Sequence, residues 1–267
     1  RGIPALAVTD RNNLFALVKF CKAAEAAGIK PIAGADLAIA LPGDEIAWLT
    51  LLCRDDDGYK ALSRLITRAW MQGHRQDGVA IEPAWLDQED LSGLIAIAGR
   101  ISEPGLRLAM NRAEAAEDAL RALLARFGDR LCLSIARTGR EGEEAFNGFA
   151  IAMSSKLGIP LVAANDVRFI DADGFDAHEA RVCIASGRVL DDPKRPRDYS
   201  AQQYLRSAGE MAALFADVPD ALENTLALAE RCNANLRLGT YHLPDFPVPE
   251  GQTLASWIRQ EAAEGLA

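Results

Sequence analysis

At 267 residues, with 49% hydrophobic and 25% charged side chains, the chain has the composition of an ordinary globular protein long enough to bury a sizeable core. Lys and Arg number 29 against 38 Asp and Glu, a net charge of −9 that argues against unaided grip on a phosphate backbone, which rests on clustered cations. No stretch approaches the ~18 apolar residues of a membrane span, and no secretory leader pattern is read. Five scattered cysteines (Cys21, Cys53, Cys132, Cys183 and Cys232), with no C-x-x-C pair, are expected to be buried free thiols in a reducing cytoplasm.

Residues 5–9 read as a strand. A helix is expected over 13–27, with Leu14, Leu17, Val18, Cys21 and Ala24 on one face and Gly28 as its stop. Strands follow at 31–38 and 46–53, then a helix over 57–71 with Asp55, Asp56 and Asp57 at its positive end. Next come a strand at 94–98, a helix at 113–127, a strand at 131–136, a helix at 141–157 and a strand at 160–164. From about residue 173 the pattern stays mostly helical, with an amphipathic segment over 207–232. The Pro-rich run 243–249 reads as a linker or domain boundary. Six strands interleaved with helices predict an α/β protein with a largely parallel sheet, closed or open. The first residues, Arg1-Gly2-Ile3-Pro4, and the last, Gly265-Leu266-Ala267, lead us to expect that both ends continue in a longer polypeptide.

Three histidines offer little chemistry. His74 follows Gly73 at a helix end, where a cap or simple cation is expected, and His242 reads as a surface residue of the linker. His178 sits in Asp176-Ala177-His178-Glu179 on a helix, where adjacent positions do not converge on one ion, so packing is the expected role. No nucleophile system and no glycine-rich phosphate loop is present. Asp10, Asp36 and Asp166 lie at strand ends and would converge on one rim if the sheet closes. Carboxylates alone can hold Mg²⁺ or Mn²⁺, but helix capping or pairing with arginine is the commoner fate. Residues 181–206 carry Arg181, Arg188, Lys194, Arg195, Arg197 and Arg206. Lys194, Arg195 and Arg197 are the candidates for phosphate or partner contacts, against the blander reading of a solvated loop.

Several runs belong together. They are Ala5-Leu-Ala-Val-Thr-Asp-Arg-Asn-Asn-Leu-Phe15, Gly28-Ile-Lys-Pro-Ile-Ala-Gly-Ala-Asp36, Arg137-Thr-Gly-Arg140 and Ala164-Asn-Asp-Val-Arg-Phe-Ile-Asp171. Asp176-Ala-His178, Leu190-Asp-Asp-Pro-Lys-Arg-Pro-Arg197, Glu210-Met211 with Leu214-Phe215, and Asn224-Thr225 with Ala229-Glu-Arg-Cys232 complete the set. Over essentially the whole chain they resemble the bacterial DNA polymerase III α subunit family, the C-family replicative DNA polymerases. The likeness is greater to the proteobacterial replicative type than to the error-prone, translesion relative.

The resemblance implies a PHP (polymerase and histidinol phosphatase) domain over residues 1–235, a distorted (β/α)7 TIM-like barrel. Its first strand, with an H-x-H metal motif, would lie upstream of Arg1. Residues 236–267 would form a helical extension, the linker and start of the polymerase palm. The family's polymerase carboxylates are absent, so no catalytic residue is expected here. In relatives with a working PHP site, His, Asp, Glu and Cys hold a metal cluster. The matching positions here read Asp10-Arg11 for Asp-His, Asp36 for Glu, Trp48 for His, Gly99-Arg100 for Gly-Cys and Asp166-Val167-Arg168 for Asp-x-His. Arginine keeps its proton and offers no lone pair to a metal. A degenerate site of Asp10, Arg11, Asp36, Trp48, Gly99, Asp166 and Arg168 is therefore expected, with no metal and no cofactor in these residues. Mg²⁺ is expected only for the full-length polymerase.

The resemblance also implies a cytoplasmic, structural domain that docks the separate proofreading exonuclease (epsilon) subunit and does not meet a membrane. The other polymerase III holoenzyme subunits and DNA would be reached through the full-length chain. Two alternatives are a metal-dependent phosphoesterase of the histidinol-phosphatase type and the PHP domain of an error-prone C-family polymerase.

Overall fold

The computed structural model describes residues 1–267 except 77, 196 and 241–244. His242 and part of the Pro-rich run therefore lie outside the described residues. In chain order the elements are β1 (Ala5–Arg11), α1 (Leu17–Ala26), β2 (Lys30–Ala40), β3 (Ile46–Cys53) and α2 (Asp56–Gln72). The short strands β4 (His74–Arg75) and β5 (Gly78–Val79) and the one-turn helix α3 (Pro83–Leu86) come next. Then follow β6 (Leu94–Ala98), α4 (Glu103–Ala109), α5 (Ala113–Phe127), β7 (Leu131–Ala136), α6 (Glu143–Leu157) and β8 (Leu161–Ala164). The helices α7 (Phe175–Ser186), α8 (Ala208–Leu214), α9 (Pro219–Arg231) and α10 (Leu254–Glu264) end the chain.

The molecule is mixed α/β. Six strands form one curled sheet in the order β1-β2-β3-β6-β7-β8, while β4 and β5 pair separately. The expected largely parallel sheet needs one correction. β1–β2, β6–β7 and β7–β8 are parallel, but β3 runs antiparallel to both β2 and β6. Only residues 41–45 separate β2 from β3, too few for the crossover a parallel pair requires. That link turns at Gly43 and Asp44, both at positive φ (79° and 60°).

Two faces of the sheet bury different things. Ala35, Leu37, Leu49, Leu51, Leu94, Ala96, Leu133 and Ile135 point outward, each buried. They meet helices such as α2, whose Ala61, Leu62, Leu65 and Ala69 are also buried. Each such leucine contributes about 2 kcal/mol by leaving water. α2 starts where Asp55 Oδ1 accepts a 2.9 Å bond from the Gly58 backbone N–H. On the inward face, Ile32, Leu52, Ile95, Cys132 and Val162 form one cluster with Leu228 and Cys232, at the end where the parallel strands begin. α9 is fastened there by bonds from Asn224 to the Leu161 carbonyl and from Lys30 to the Ala229 carbonyl. The opposite, C-terminal end of the parallel strands is left for polar side chains.

The sheet edges β1 and β8 are not joined to each other. A groove of about 610 Å³, lined by Ala5, Leu6, Ala163, Val167, Met211 and Leu226 among others, lies along them. All five cysteines are buried and unpaired. Burial pushes the Cys53 thiol up to about 12, and those of Cys132 and Cys232 to about 11.

Residues Arg1–Asn235 form one compact unit and Leu236–Ala267 a second. The second contains α10, which opens with a reciprocal cap between Thr253 and Ser256. Among the described residues no helix is long and apolar enough to cross a membrane.

Candidate functional site

The strand register decides which side chains share the inward rim. Arg11 pairs with Asp36, Asp36 with Thr50, Ala38 with Trp48 and Thr50 with Ile97, so Arg11, Asp36, Trp48 and Thr50 share one face. Asp10 pairs with Ala35, one residue out of step, and faces the other way. This corrects the expected convergence of three carboxylates: Asp36 and Asp166 line one cavity of about 230 Å³, and Asp10 does not. Alternation of period two makes a one-residue offset a change of face. Gly99 lines the same cavity, and a Cβ there would fall 2.6 Å from Ser134 Oγ.

Asp166 sits at a backbone φ of +40°, a conformation uncommon for a residue with a Cβ. Its side chain is held from three directions. Arg168 Nη2 lies 2.6 Å from Oδ1 and Arg140 Nη1 lies 2.6 Å from Oδ2. The fully buried Gln203 donates from Nε2 to Oδ2 at 3.1 Å and to the Asp166 carbonyl at 3.0 Å. Arg140 also lies 3.2 Å from Glu143. Glu143, only 4% exposed, accepts from the Thr138 backbone at 2.7 Å and the Gly139 backbone at 2.9 Å, and from the Thr138 hydroxyl. Burial pushes the Glu143 carboxyl up, but the Thr138 bonds and Arg140 outweigh it and hold it below its ordinary value.

Asp36 behaves oppositely. Burial drives its carboxyl above the ordinary range, although the Thr50 hydroxyl donates to Oδ1 at 2.6 Å and Arg168 and Arg11 are nearby. Arg11 lies over the Trp48 ring, 4.5 Å from its centroid, so two positions singled out from the sequence touch each other. Arg168 approaches Tyr199 at 5.7 Å.

The basic loop divides. Arg195 is not available as a phosphate or partner contact, because it forms a buried ion pair with Glu179 and bonds the Leu190 carbonyl. Lys194 and Arg197 are exposed, and Arg197 borders a second rim cavity of about 460 Å³. His178 is buried between Phe169 and Tyr199, with ring centroids 5.6 and 4.6 Å away, as its packing role requires. Burial and Arg181 hold its pKa below the ordinary histidine value. His74 is exposed on β4.

Sequence reasoning missed Arg140, Glu143 and Gln203 as site residues. Arg140 stood in a quoted run, but nothing local announced that it would reach across to Asp166. The donor set does not fit a metal cluster: Arg11, Arg100, Arg140 and Arg168 line the rim, and a guanidinium offers no lone pair to a metal. Among the described residues no group of three or more His, Cys, Asp or Glu could hold a metal ion.

The PHP domain family matches residues 1–138, just over half of the sequence. The chain belongs to the PHP domain family. DNA polymerase III subunit alpha of Xylella fastidiosa (strain Temecula1) is 60% identical over 266 residues, covering 99% of this PHP chain and 22% of that protein. The same subunit of Pseudomonas aeruginosa is 47% identical over 268 residues, and that of Escherichia coli K12 is 45% identical over 267, each covered to 23%. The chain therefore spans less than a quarter of the length of these curated relatives. A crystal structure from Bifidobacterium adolescentis, named for a metal-dependent phosphoesterase, aligns at a TM-score of 0.44 and 12% identity, over 62% of this chain and 77% of that one. That likeness is too distant to inform the site.

Proposed function

We propose that this chain is the PHP portion of a polymerase III α subunit, a cytoplasmic, template-directed DNA polymerase that requires Mg²⁺ in its full length. Within it the domain acts as a structural element and a dock for the proofreading exonuclease subunit, and carries no catalysis of its own. Residues 236–267 then lead toward the polymerase palm. One observation carries the reading: proteins named DNA polymerase III subunit alpha match 99% of the chain at 60% and 45% identity. The replaced ligand set supports a scaffold over a hydrolase, because an arginine-bridged rim presents no Lewis acid and no metal-activated water. Other holoenzyme subunits and DNA are reached through the rest of the polypeptide.

The docking role is tested by removing the domain from the full-length subunit and titrating the exonuclease subunit by calorimetry. Loss of the complex with primer extension retained is expected. Unchanged affinity would remove the docking reading.

A further inference from the structure

Residues 197–206 run over the loop that leaves β8 and fasten to it like a strap. The Leu205 N–H donates to the Phe169 carbonyl at 3.0 Å, and the Arg168 N–H donates to the Gln203 carbonyl at 2.8 Å. The Asn165 amide donates to the carbonyls of Gln202 and Tyr204 at 2.9 and 2.7 Å, and the Ser200 hydroxyl to the Thr138 carbonyl. Gln203 carries the same strap to the Asp166 carboxylate. At its start, the Tyr199 ring stands edge-on to the His178 imidazole, at 86°. The Asp166 cluster is thus tied through the strap to a buried histidine that the site does not use.

His178 is only 6% exposed, and its surroundings suit the neutral ring alone. Arg181 Nη2 lies 3.4 Å from Nδ1, and a guanidinium can only donate, so Nδ1 accepts and the ring proton sits on Nε2. Nε2 is buried and has no hydrogen-bond partner among the described residues. A second proton would have to enter at Nδ1, donor against donor. The charged neighbours on α7 are Arg181 and Glu179, and Glu179 is engaged by Arg195. The loop after β8 brings Phe169 and the cation Arg168, and the strap brings Tyr199, which Arg168 also approaches. An imidazolium here would be stripped of water beside guanidiniums, with its adjacent carboxylate already paired.

We propose that His178 and Tyr199 form a pH-sensitive latch: the neutral imidazole keeps the strap closed over the Asp166 cluster, and protonation of that ring releases it. The direction follows from linkage. With the strap lifted, the ring is hydrated and titrates near the ordinary histidine value of about 6.5, whereas burial and Arg181 hold it lower in the closed form. Protons therefore bind the open form preferentially. The latch is closed above about pH 6.5, and the open population rises up to about tenfold over the first pH unit below it. Opening withdraws Gln203 from Asp166 and leaves that carboxylate to its two arginines. This inference does not depend on the docking role.

The test is amide hydrogen exchange on the whole chain at about pH 7.5 and about pH 5.5, one unit either side of the ordinary histidine value, with each rate divided by its intrinsic value. Protection at the Arg168 and Leu205 amides, which bond across strap and loop, is expected to fall several-fold and up to about tenfold. Amides of β3, in the middle of the sheet, should keep theirs. His178→Phe keeps an aromatic ring and removes the proton site, so the fall should vanish. Arg181→Gln acts from an exposed position that leaves the fold intact. It should raise the pH at which the His178 ring titrates by NMR and shrink the fall in protection, and it decides the matter alone if His178→Phe does not fold. His74→Gln, on the exposed β4, should keep the fall in full. Four results would overturn the proposal: no loss at Arg168 and Leu205 beyond that of β3, the same loss in His178→Phe, an unaltered response in Arg181→Gln, or a response abolished by His74→Gln.

Discussion

Asp166 and Arg168 lie two residues apart on the loop leaving β8, with Oδ1 and Nη2 2.6 Å apart, while Arg140 grips the other carboxylate oxygen at the same distance. One carboxylate thus serves two guanidiniums, all three side chains being less than a third exposed. The members are unequal as a result. Arg168→Ala leaves Asp166 neutralised by Arg140 and should cost about 1 kcal/mol. Asp166→Ala leaves two guanidiniums facing each other, so it should cost more, about 2–3 kcal/mol. The double variant should fall short of the sum by more than about 0.5 kcal/mol, as residues of one network do. Thermal melts of the three variants measure this, and additive effects would show that the three groups are mere neighbours.

The opposite shifts of Asp36 and Glu143 give opposite pH signatures. Asp36 holds its proton to higher pH when folded than when unfolded. Its contribution is therefore neutral below the ordinary carboxylate value and becomes destabilising as pH rises through the folded one. Asp36→Asn keeps an acceptor for Thr50 and removes that charge. The variant should match the unaltered chain in acid and exceed it in stability as pH rises from about 4 to 8. An advantage that grows on acidification would contradict the assignment.

Glu143 is the reverse case. Its folded pKa lies below the unfolded one, so its stabilisation is complete above the ordinary carboxylate range and is lost as pH falls through the folded value. Glu143→Gln, with its amide oxygen kept on the Thr138 and Gly139 N–H groups, would turn its NH2 toward the Thr138 hydroxyl and the Arg140 guanidinium and remove the Arg140 counter-charge. About 3 kcal/mol should be lost at neutral pH in urea unfolding, and less in acid. A loss independent of pH would point to packing rather than charge.

Much of the fold was legible because its signals are local. The runs that became β3, β6 and β7 read as strands at their observed bounds, and α5 likewise. α1 begins later than its periodicity implied, because the Asn13 side chain accepts from the Phe15 N–H and holds a turn ahead of it. The reversed direction of β3 was readable in principle from the short link before it. The rim was less legible. Arg11, Asp36 and Trp48 are adjacent by register, but Asp10 fell to the other face, a one-residue question that composition cannot answer. Gln203 reaches Asp166 from 37 residues away, and Arg195 turns inward because Glu179 waits on α7. Those are tertiary facts with no local periodicity behind them.

The claim that guanidinium–carboxylate pairing has taken the place of a metal cluster is tested most directly by elemental analysis. The chain would be purified without chelator, dialysed against buffer containing zinc and manganese, freed of excess metal and analysed alongside its melting temperature with and without EDTA. We predict substoichiometric metal and the same melting temperature in both conditions, because Arg11, Arg100 and Arg168 offer no lone pair at the positions that would have to bind. Stoichiometric zinc or manganese, with a melting temperature that falls in EDTA and recovers on adding the metal back, would contradict it.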